Sequence, residues 1–117
     1  MLATDWAPAA LDLVAQNAAA NGISVETALL DWRGTTAPAT EPFDLVLAAD
    51  VLYEERNAEP LLELFAGVVA DGGEVLLADP GRRHAAAFFD AAERGWIVER
   101  LPAAGLPNGG ISRLHRR

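Results

Sequence analysis

Short apolar runs alternate with amphipathic stretches along this chain, and Gly, Pro and Asp stand at the joints between them. Residues 2–4 predict a strand. A helix should follow from Pro8 to just before Asn21-Gly22, because Pro suits the first helical turn and Asn-Gly suits a helix end. Residues 23–30 form a second strand candidate, and residues 34–42 predict a loop.

The apolar run 43–49 predicts a strand that is buried on both faces, because its residues do not alternate with polar ones. A helix is expected from about residue 58 to residue 70, followed by a turn at 71–73 and a strand over 74–78. A third helix is expected over 85–94. The residues that this third helix should bury are Ala85, Phe88, Phe89 and Ala92.

The last two predicted strands, over 96–101 and 111–115, have no helix between them. They should therefore form an antiparallel pair at one edge of the sheet. The order of all the elements predicts an α/β protein with a mainly parallel sheet. No internal repeat or linker interrupts the sequence, which predicts one domain over residues 1–117.

Composition limits the possible binding partners and the cellular location of the protein. The chain has 17 Asp and Glu against nine cationic residues, all of them arginine, and a net charge of −8. This acidic balance argues against nucleic acid as a partner, since phosphate contacts need clustered cations. No apolar run approaches the roughly 18 residues of a membrane-spanning helix. Cysteine is absent, and two isolated histidines do not make a metal site. We expect a bacterial cytoplasmic protein without a metal, whose Arg113, Arg116 and Arg117 form a solubilising end.

Four predicted strands end in an acid, namely Asp5, Asp31, Asp50 and Asp79. Ligands of open α/β sheets bind outside the carboxyl ends of the strands, so these acids predict a site for a hydroxylated or cationic ligand. The alternative for each acid is that it caps the helix that follows it, since Asp is common at caps and turns. Four acids at one rim, each with distinctive neighbours, favour the binding site.

Asp5 has the position at which Rossmann-like folds hold a ribose. Nicotinamide dinucleotides and S-adenosylmethionine both carry such a ribose, and no GxGxxG or P-loop pattern is present to choose between them. Trp32 is expected either to lie against an adenine ring or to close the core. Ala49 is small enough to let a ligand approach the backbone, or it serves tight packing.

Asp50-Val51-Leu52-Tyr53 is the most informative stretch. If the chain turns after the strand, a carboxylate and a phenol both face the rim, and together they suit a cationic or amine group. The alternative is a helix cap followed by a half-buried tyrosine.

Several short motifs occur in a fixed order, and together they carry a family resemblance. They are Ala3-Thr4-Asp5, Asn17 to Gly22, Leu30-Asp31-Trp32, Asp50-Val51-Leu52-Tyr53 and Asp79-Pro80-Gly81-Arg82. In this order the chain resembles the seven-strand class I S-adenosylmethionine-dependent methyltransferases. More narrowly, it is similar to their family 16 branch, which includes many protein-lysine methyltransferases.

The resemblance implies a Rossmann-like sheet with helices on both faces and S-adenosylmethionine as the cofactor. It gives Asp5 to the ribose hydroxyls and places Asp31, Trp32 and Ala49 on the cofactor side. It gives Asp50 and Tyr53 to the methyl acceptor, which is expected to be a protein lysine side chain or a small amine.

The chain departs from the family pattern at its start, since the family's first strand and glycine-rich loop precede the strand of Asp5. We therefore expect residues 1–117 to be a partial domain that runs from the second strand onwards, with weak cofactor affinity. Two alternatives stay open, namely a non-catalytic interaction module of the same fold and a fragment of a Rossmann-type NAD-dependent oxidoreductase.

Overall fold

The computed structural model describes residues 1–34 and 41–117, so most of the loop predicted over 34–42 lies outside the described residues. The chain divides into two compact units, Met1–Pro38 and Ala39–Arg117. None of the helices in the described ranges is long and apolar enough to cross a membrane.

The first unit contains a strand, a helix and a second strand, as the sequence predicts. They are β1 (Leu2–Asp5), α1 (Pro8–Ala20) and β2 (Glu26–Leu29), and the two strands pair in parallel. Helix α1 begins at Pro8, where the missing N–H costs nothing. It closes at Gly22, whose φ of 65° is the left-handed conformation that glycine adopts readily.

The second unit is built on a four-stranded sheet with two helices. Its elements are β3 (Phe43–Ala49), a 3-10 turn (Glu55–Asn57), α2 (Ala58–Val68), β4 (Val69–Asp79), α3 (Ala85–Ala92), β5 (Trp96–Pro102) and β6 (Gly110–Arg116). The strand order is β3-β4-β6-β5, in which β6 runs antiparallel to both of its neighbours. The other three strands therefore share one direction, which confirms a mixed α/β fold with an antiparallel C-terminal pair.

The turn predicted at Asp71-Gly72-Gly73 lies inside strand β4. The pairing of β3 with β4 shifts there, since Phe43 is opposite Val69 while Leu45 is opposite Glu74. The residues between Val69 and Glu74 form a bulge, and Gly72 supplies a left-handed φ of 80° within it. The glycines therefore bend a continuous strand and do not separate a helix from a strand.

The core of the second unit lies where α2 and α3 meet. Phe88 is fully buried and contacts two other rings edge to face, Phe65 at 6.5 Å and Phe89 at 5.3 Å between centroids. Residues of the sheet, Leu77 and Leu114 among them, are also fully buried. All four residues expected on the buried face of α3 are buried, which confirms the helical periodicity there.

The expectation that β3 is buried on both faces is wrong. Leu45 and Leu47 are 48% and 69% exposed, whereas Val46 and Ala48 on the other face are half-buried. In the described part of the chain, β3 is one of the two edge strands of its sheet. An apolar run therefore predicts a strand, but its burial depends on neighbours that the run itself does not encode.

The last two arginines hold the ends of helices and are not a merely solubilising tail. The guanidinium of Arg116 donates to the backbone oxygens of Ala66 and Val69 at the end of α2. Arg117 Nε donates to the backbone oxygen of Glu93, just after α3, at 3.0 Å. These carbonyls lie where a helix leaves its acceptors without intrahelical donors.

Candidate active site

In the first unit, two of the predicted acids lie at the same edge of the sheet. Asp5 is the last residue of β1, and its backbone oxygen accepts the N–H of Leu30 at 2.9 Å. Asp31 follows Leu30 directly. This pairing brings the carboxyl ends of β1 and β2 side by side.

Both carboxylates also hold local turns. Asp5 Oδ1 accepts the backbone N–H of Ala7 at 2.8 Å, and Asp31 Oδ1 accepts both the backbone N–H and Nε of Arg33, at 3.0 and 3.2 Å. Asp5 does not cap α1, because the N-cap residue of that helix is Ala7 and no side chain caps it, and Asp31 is followed by a turn. These local bonds do not exclude binding. A carboxylate offers about four acceptor positions, and the bond to Ala7 uses one of those on Asp5.

Trp32 is half-buried in the turn that follows Asp31. Its contact with an adenine ring stays a prediction.

In the second unit, β3 ends in an unusual backbone conformation. Ala49 lies opposite Ala78 of β4, and the next residue, Asp50, has a φ of 53° and donates its backbone N–H to the oxygen of Ala78 at 2.8 Å. Among the described residues that are not glycine, a positive φ occurs at Asp50 alone. Asp tolerates this left-handed region better than most residues, and such outliers cluster at functional sites.

The Asp50 carboxylate is paired with a guanidinium from the neighbouring strand end. Arg82 Nε donates to Oδ1 and Arg82 Nη2 donates to Oδ2, each at 2.8 Å, in a two-pronged ion pair. The hydrogen bonds from Arg82 lower the pKa of the Asp50 carboxyl, so it is ionised at neutral pH. Asp50 does not cap a helix, so that part of the alternative interpretation is wrong.

Asp79, the last residue of β4, fixes the turn that carries Arg82. Asp79 is only 7% exposed, and its Oδ2 accepts the backbone N–H groups of Gly81 and Arg82 at 2.8 and 2.9 Å. Gly81 has a φ of 101°, and a Cβ there would lie 2.8 Å from the backbone oxygen of Asn108. The Asp-Pro-Gly-Arg sequence therefore forms a rigid turn, in which the backbone conformation and the close approach of Asn108 both require glycine at position 81.

The loop after Asp50 is anchored by buried residues. Leu52 is 1% exposed, and the buried Asn57 donates Nδ2 to the backbone oxygen of Val51 at 3.1 Å. Tyr53, between these anchors, is exposed. A buried leucine thus fixes the loop in the core while the adjacent tyrosine stays at the surface.

The structure brings together some of the predicted residues and leaves the position of others open. Asp5 lies with Asp31 in the first unit, and Asp50 lies with Asp79 in the second, so the single rim of four acids stays a prediction. Sequence reasoning missed the pairing of Arg82 with Asp50. The clue was present in the Asp-Pro-Gly-Arg motif, but the pairing spans 32 positions and needs β3 and β4 to be adjacent.

A cavity of about 380 Å³ lies beside the end of β4, between α3 and the β5–β6 hairpin. Phe89, Arg100 and Asn108 are among the residues that line it, and the Arg100 guanidinium stacks over the Phe89 ring at 4.1 Å. Asp50 and Tyr53 are not among its lining residues, so the expected acceptor residues lie outside this cavity.

The fold is that of a Rossmann-like methyltransferase. Residues 1–94 match the lysine methyltransferase family, and the chain therefore belongs to that family. It is an S-adenosylmethionine-dependent methyltransferase, and the oxidoreductase alternative is wrong. None of the curated proteins matches the sequence.

Solved methyltransferase structures share the fold. An rRNA methylase from Streptococcus thermophilus is 16% identical with a TM-score of 0.75, over 98% of this chain and 72% of that one. A TehB-like S-adenosylmethionine-dependent methyltransferase from Corynebacterium glutamicum is 19% identical with a TM-score of 0.76, over 99% and 67%. The N-methyltransferase NodS from Bradyrhizobium japonicum, in complex with S-adenosyl-L-homocysteine, is 16% identical with a TM-score of 0.73, over 98% and 65%.

The residues present fit part of this cofactor. The ribose of S-adenosylmethionine offers hydroxyl donors, and Asp5 is an acceptor-only group at a strand end with unused acceptor capacity beside its bond to Ala7. The chemistry of Asp5 therefore agrees with the cofactor that the family uses.

Proposed function

We propose that this protein transfers a methyl group to an amine nitrogen, and that the amine is a lysine side chain on another protein. The supporting observation is the ionised Asp50 carboxylate, which Arg82 holds at the end of β3, three residues before the exposed Tyr53. A carboxylate and an aromatic ring together suit an approaching amine. The membership of the lysine methyltransferase family supports the same acceptor.

On the cofactor side, Asp5 would accept hydrogen bonds from the ribose hydroxyls of S-adenosylmethionine, and Asp31, Trp32 and Ala49 are the residues proposed to bind the rest of its adenosyl group. S-adenosylmethionine, when bound, supplies an electrophilic methyl group on a sulfonium. These four residues bind and orient, since none of them has a nucleophilic role in the proposal.

On the acceptor side, Asp50 accepts an N–H bond from the amine and fixes the direction of its lone pair. Asp50 does not serve as the base, because Arg82 lowers the pKa of its carboxyl and makes it a poor proton acceptor. The amine proton leaves to solvent. Tyr53 forms a wall of the acceptor slot, and orientation of the amine supplies most of the rate acceleration.

Two other classes of methyl acceptor follow from particular observations. A small amine would meet the same carboxylate and ring. The rRNA methylase among the structural relatives raises RNA as an acceptor, but a net charge of −8 weighs against nucleic acid. The non-catalytic module and the cytoplasmic location also stay predictions.

The test is transfer of labelled methyl from S-adenosylmethionine to three acceptors, namely a lysine-rich protein, the same protein with acetylated lysines, and RNA. The chain itself contains no lysine, so self-methylation cannot contribute a lysine signal. We expect label on the unmodified protein only, and its loss in Asp50→Asn. Label on RNA, or equal label on the acetylated protein, would show that the proposed acceptor is wrong.

Binding of the cofactor is measured separately by calorimetry. Binding without transfer to any acceptor would favour the non-catalytic module, while tight binding would contradict the weak affinity expected from the sequence.

A further inference from the structure

We propose that Arg82 is the positioning residue for Asp50, and that by neutralising this carboxylate it allows the acceptor amine to lose its proton. This inference rests on the proposed function, in which Asp50 meets the amine. Nothing in the family resemblance gives Arg82 this role, and the geometry of the second unit carries it.

The first step is the rigidity of Arg82 at its backbone. The N–H groups of Gly81 and Arg82 both donate to Oδ2 of Asp79, and Asp79 is more than nine-tenths buried. The tight approach of Gly81 to Asn108 leaves no room for the turn to relax inwards. The guanidinium therefore starts from a fixed point at the end of β4.

The second step is the orientation of the carboxylate. Arg82 donates one bond to each oxygen of Asp50, which fixes rotation of the carboxylate about its last side-chain bond. The backbone of Asp50 is fixed as well, by its bond to Ala78 and its left-handed φ. Each oxygen keeps an acceptor position for an amine N–H, in a direction that the two strand ends define.

The third step is charge. A bare carboxylate beside an alkylammonium stabilises the ammonium and raises its pKa, so the nitrogen keeps its proton and has no lone pair to donate. The pair of Asp50 with Arg82 has no net charge, which removes most of this stabilisation. Arg82 is the charged group that acts on Asp50, and Asp79 acts on Arg82 from the end of β4.

The transfer then balances as follows. The ammonium gives one proton to water, and the nitrogen lone pair forms the new N–C bond. The electrons of the broken C–S bond stay on sulfur, which leaves as a neutral thioether, and the positive charge passes to the methylated nitrogen.

Three variants separate this role from a merely structural one. Arg82→Gln removes the charge, Arg82→Lys keeps the charge but loses the two-pronged geometry, and Arg83→Gln removes the neighbouring exposed arginine, which bonds to His84 instead. Steady-state kinetics with a lysine-containing acceptor are measured as a function of pH for each variant.

For Arg82→Gln we expect kcat to fall by about tenfold to a hundredfold, the KM of the cationic acceptor to fall, and the rising limb of the kcat profile to shift by roughly one pH unit or more to higher pH. Arg82→Lys should lose kcat without that pH shift, and Arg83→Gln should match the wild type. An unshifted profile in Arg82→Gln would overturn the inference.

A second measurement needs neither cofactor nor acceptor. NMR titration of the Asp50 carboxyl should give a pKa below the ordinary range in the wild type and in Arg83→Gln, and an ordinary pKa in Arg82→Gln. An unchanged Asp50 titration in Arg82→Gln would show that Arg82 does not hold this group. If the wild type transfers no methyl to any amine while the titration behaves as expected, the proposed function fails and the Arg82–Asp50 pairing stands.

Discussion

The two units use the same local plan, a parallel strand that ends in aspartate, but they hold that aspartate in different ways. In the first unit, Asp5 bonds to Ala7, two positions along the chain. In the second unit, Asp50 bonds to Arg82, 32 positions away. The acid given to the ribose is thus held by its own turn, whereas the acid given to the acceptor is held by the tertiary structure.

The units also differ in how they bury apolar residues. In the described part of the first unit the buried apolar residues are Ala18 and Leu30, while large ones such as Leu13 and Leu29 are exposed. The second unit buries a continuous set centred on Phe88. The free energy of unfolding should therefore depend far more on residues of the second unit than on residues of the first. A loss of packing in the core should accordingly displace Asp50 more than Asp5.

The largest expected effect comes from the core of the second unit. Phe88→Ala removes a fully buried ring with two aromatic neighbours and should cost about 3–5 kcal/mol of unfolding free energy. Leu13→Ala in the first unit is the matched comparison and should change the same quantity by no more than about 0.5 kcal/mol. Denaturant unfolding measures both, and equal losses would contradict the contrast between the units.

A smaller effect is expected at the Asp79 turn. Gly81→Ala forces a left-handed backbone on alanine and sets its Cβ 2.8 Å from the Asn108 oxygen. The strain should cost on the order of 1–3 kcal/mol, with further loss from the clash, and the displaced Arg82 should reduce activity. Gly105→Ala is the control, since Gly105 has a similar φ of 82° and nothing within 4 Å of a Cβ. Equal stabilities of the two variants would show that the close approach has no energetic weight.

Amide substitution of the two acids should separate their roles. Asp50→Asn keeps the shape and tolerates the left-handed backbone, so we expect kcat to fall by about 10²-fold with cofactor affinity unchanged. Asp5→Asn should weaken cofactor binding by about tenfold, which corresponds to one hydrogen bond of about 1.4 kcal/mol. Calorimetry with S-adenosylmethionine and steady-state kinetics test both, and an exchange of the two effects would reverse the assignment.

The smallest effect concerns pH and stability. Folding lowers the pKa of the Asp50 carboxyl from its ordinary value of 3.8 because Arg82 donates to it. The pair therefore contributes stability above that value, and the contribution is lost as pH falls through the lowered pKa. Both side chains are about half exposed, so the gain is small. Unfolding of the wild type and of Arg82→Gln should converge on acidification, whereas a constant difference would exclude the pair as its source.

Local patterns predicted the parts of the fold that depend on local physics. The buried face of α3 follows from helical periodicity, and the start of α1 follows from Pro8. The exposure of Leu45 and Leu47 could not be predicted in this way, because it depends on where β3 lies in the sheet.

In the candidate site, too, the sequence predicted what depends on local position and missed what depends on tertiary contacts. Asp50 was found from its place at a strand end, but its partner was not, since the contact with Arg82 requires β3 and β4 to be neighbours. The role of Arg116 as a helix-end donor was missed for a similar reason, because Ala66 is 50 positions away.

The position of β6 has a consequence for the order of assembly during synthesis. This strand leaves the ribosome after β5, yet it lies between β4 and β5 and supplies the pairing of both. The 30 residues between Asp79 and Gly110 take about 2–6 s to synthesise at roughly 5–20 residues per second. During that interval one edge of β4 lacks its native partner strand, and β5 lacks any native partner strand. Unpaired strand edges are templates for non-native pairing, so this interval exposes β4 and β5 to such pairing until β6 arrives.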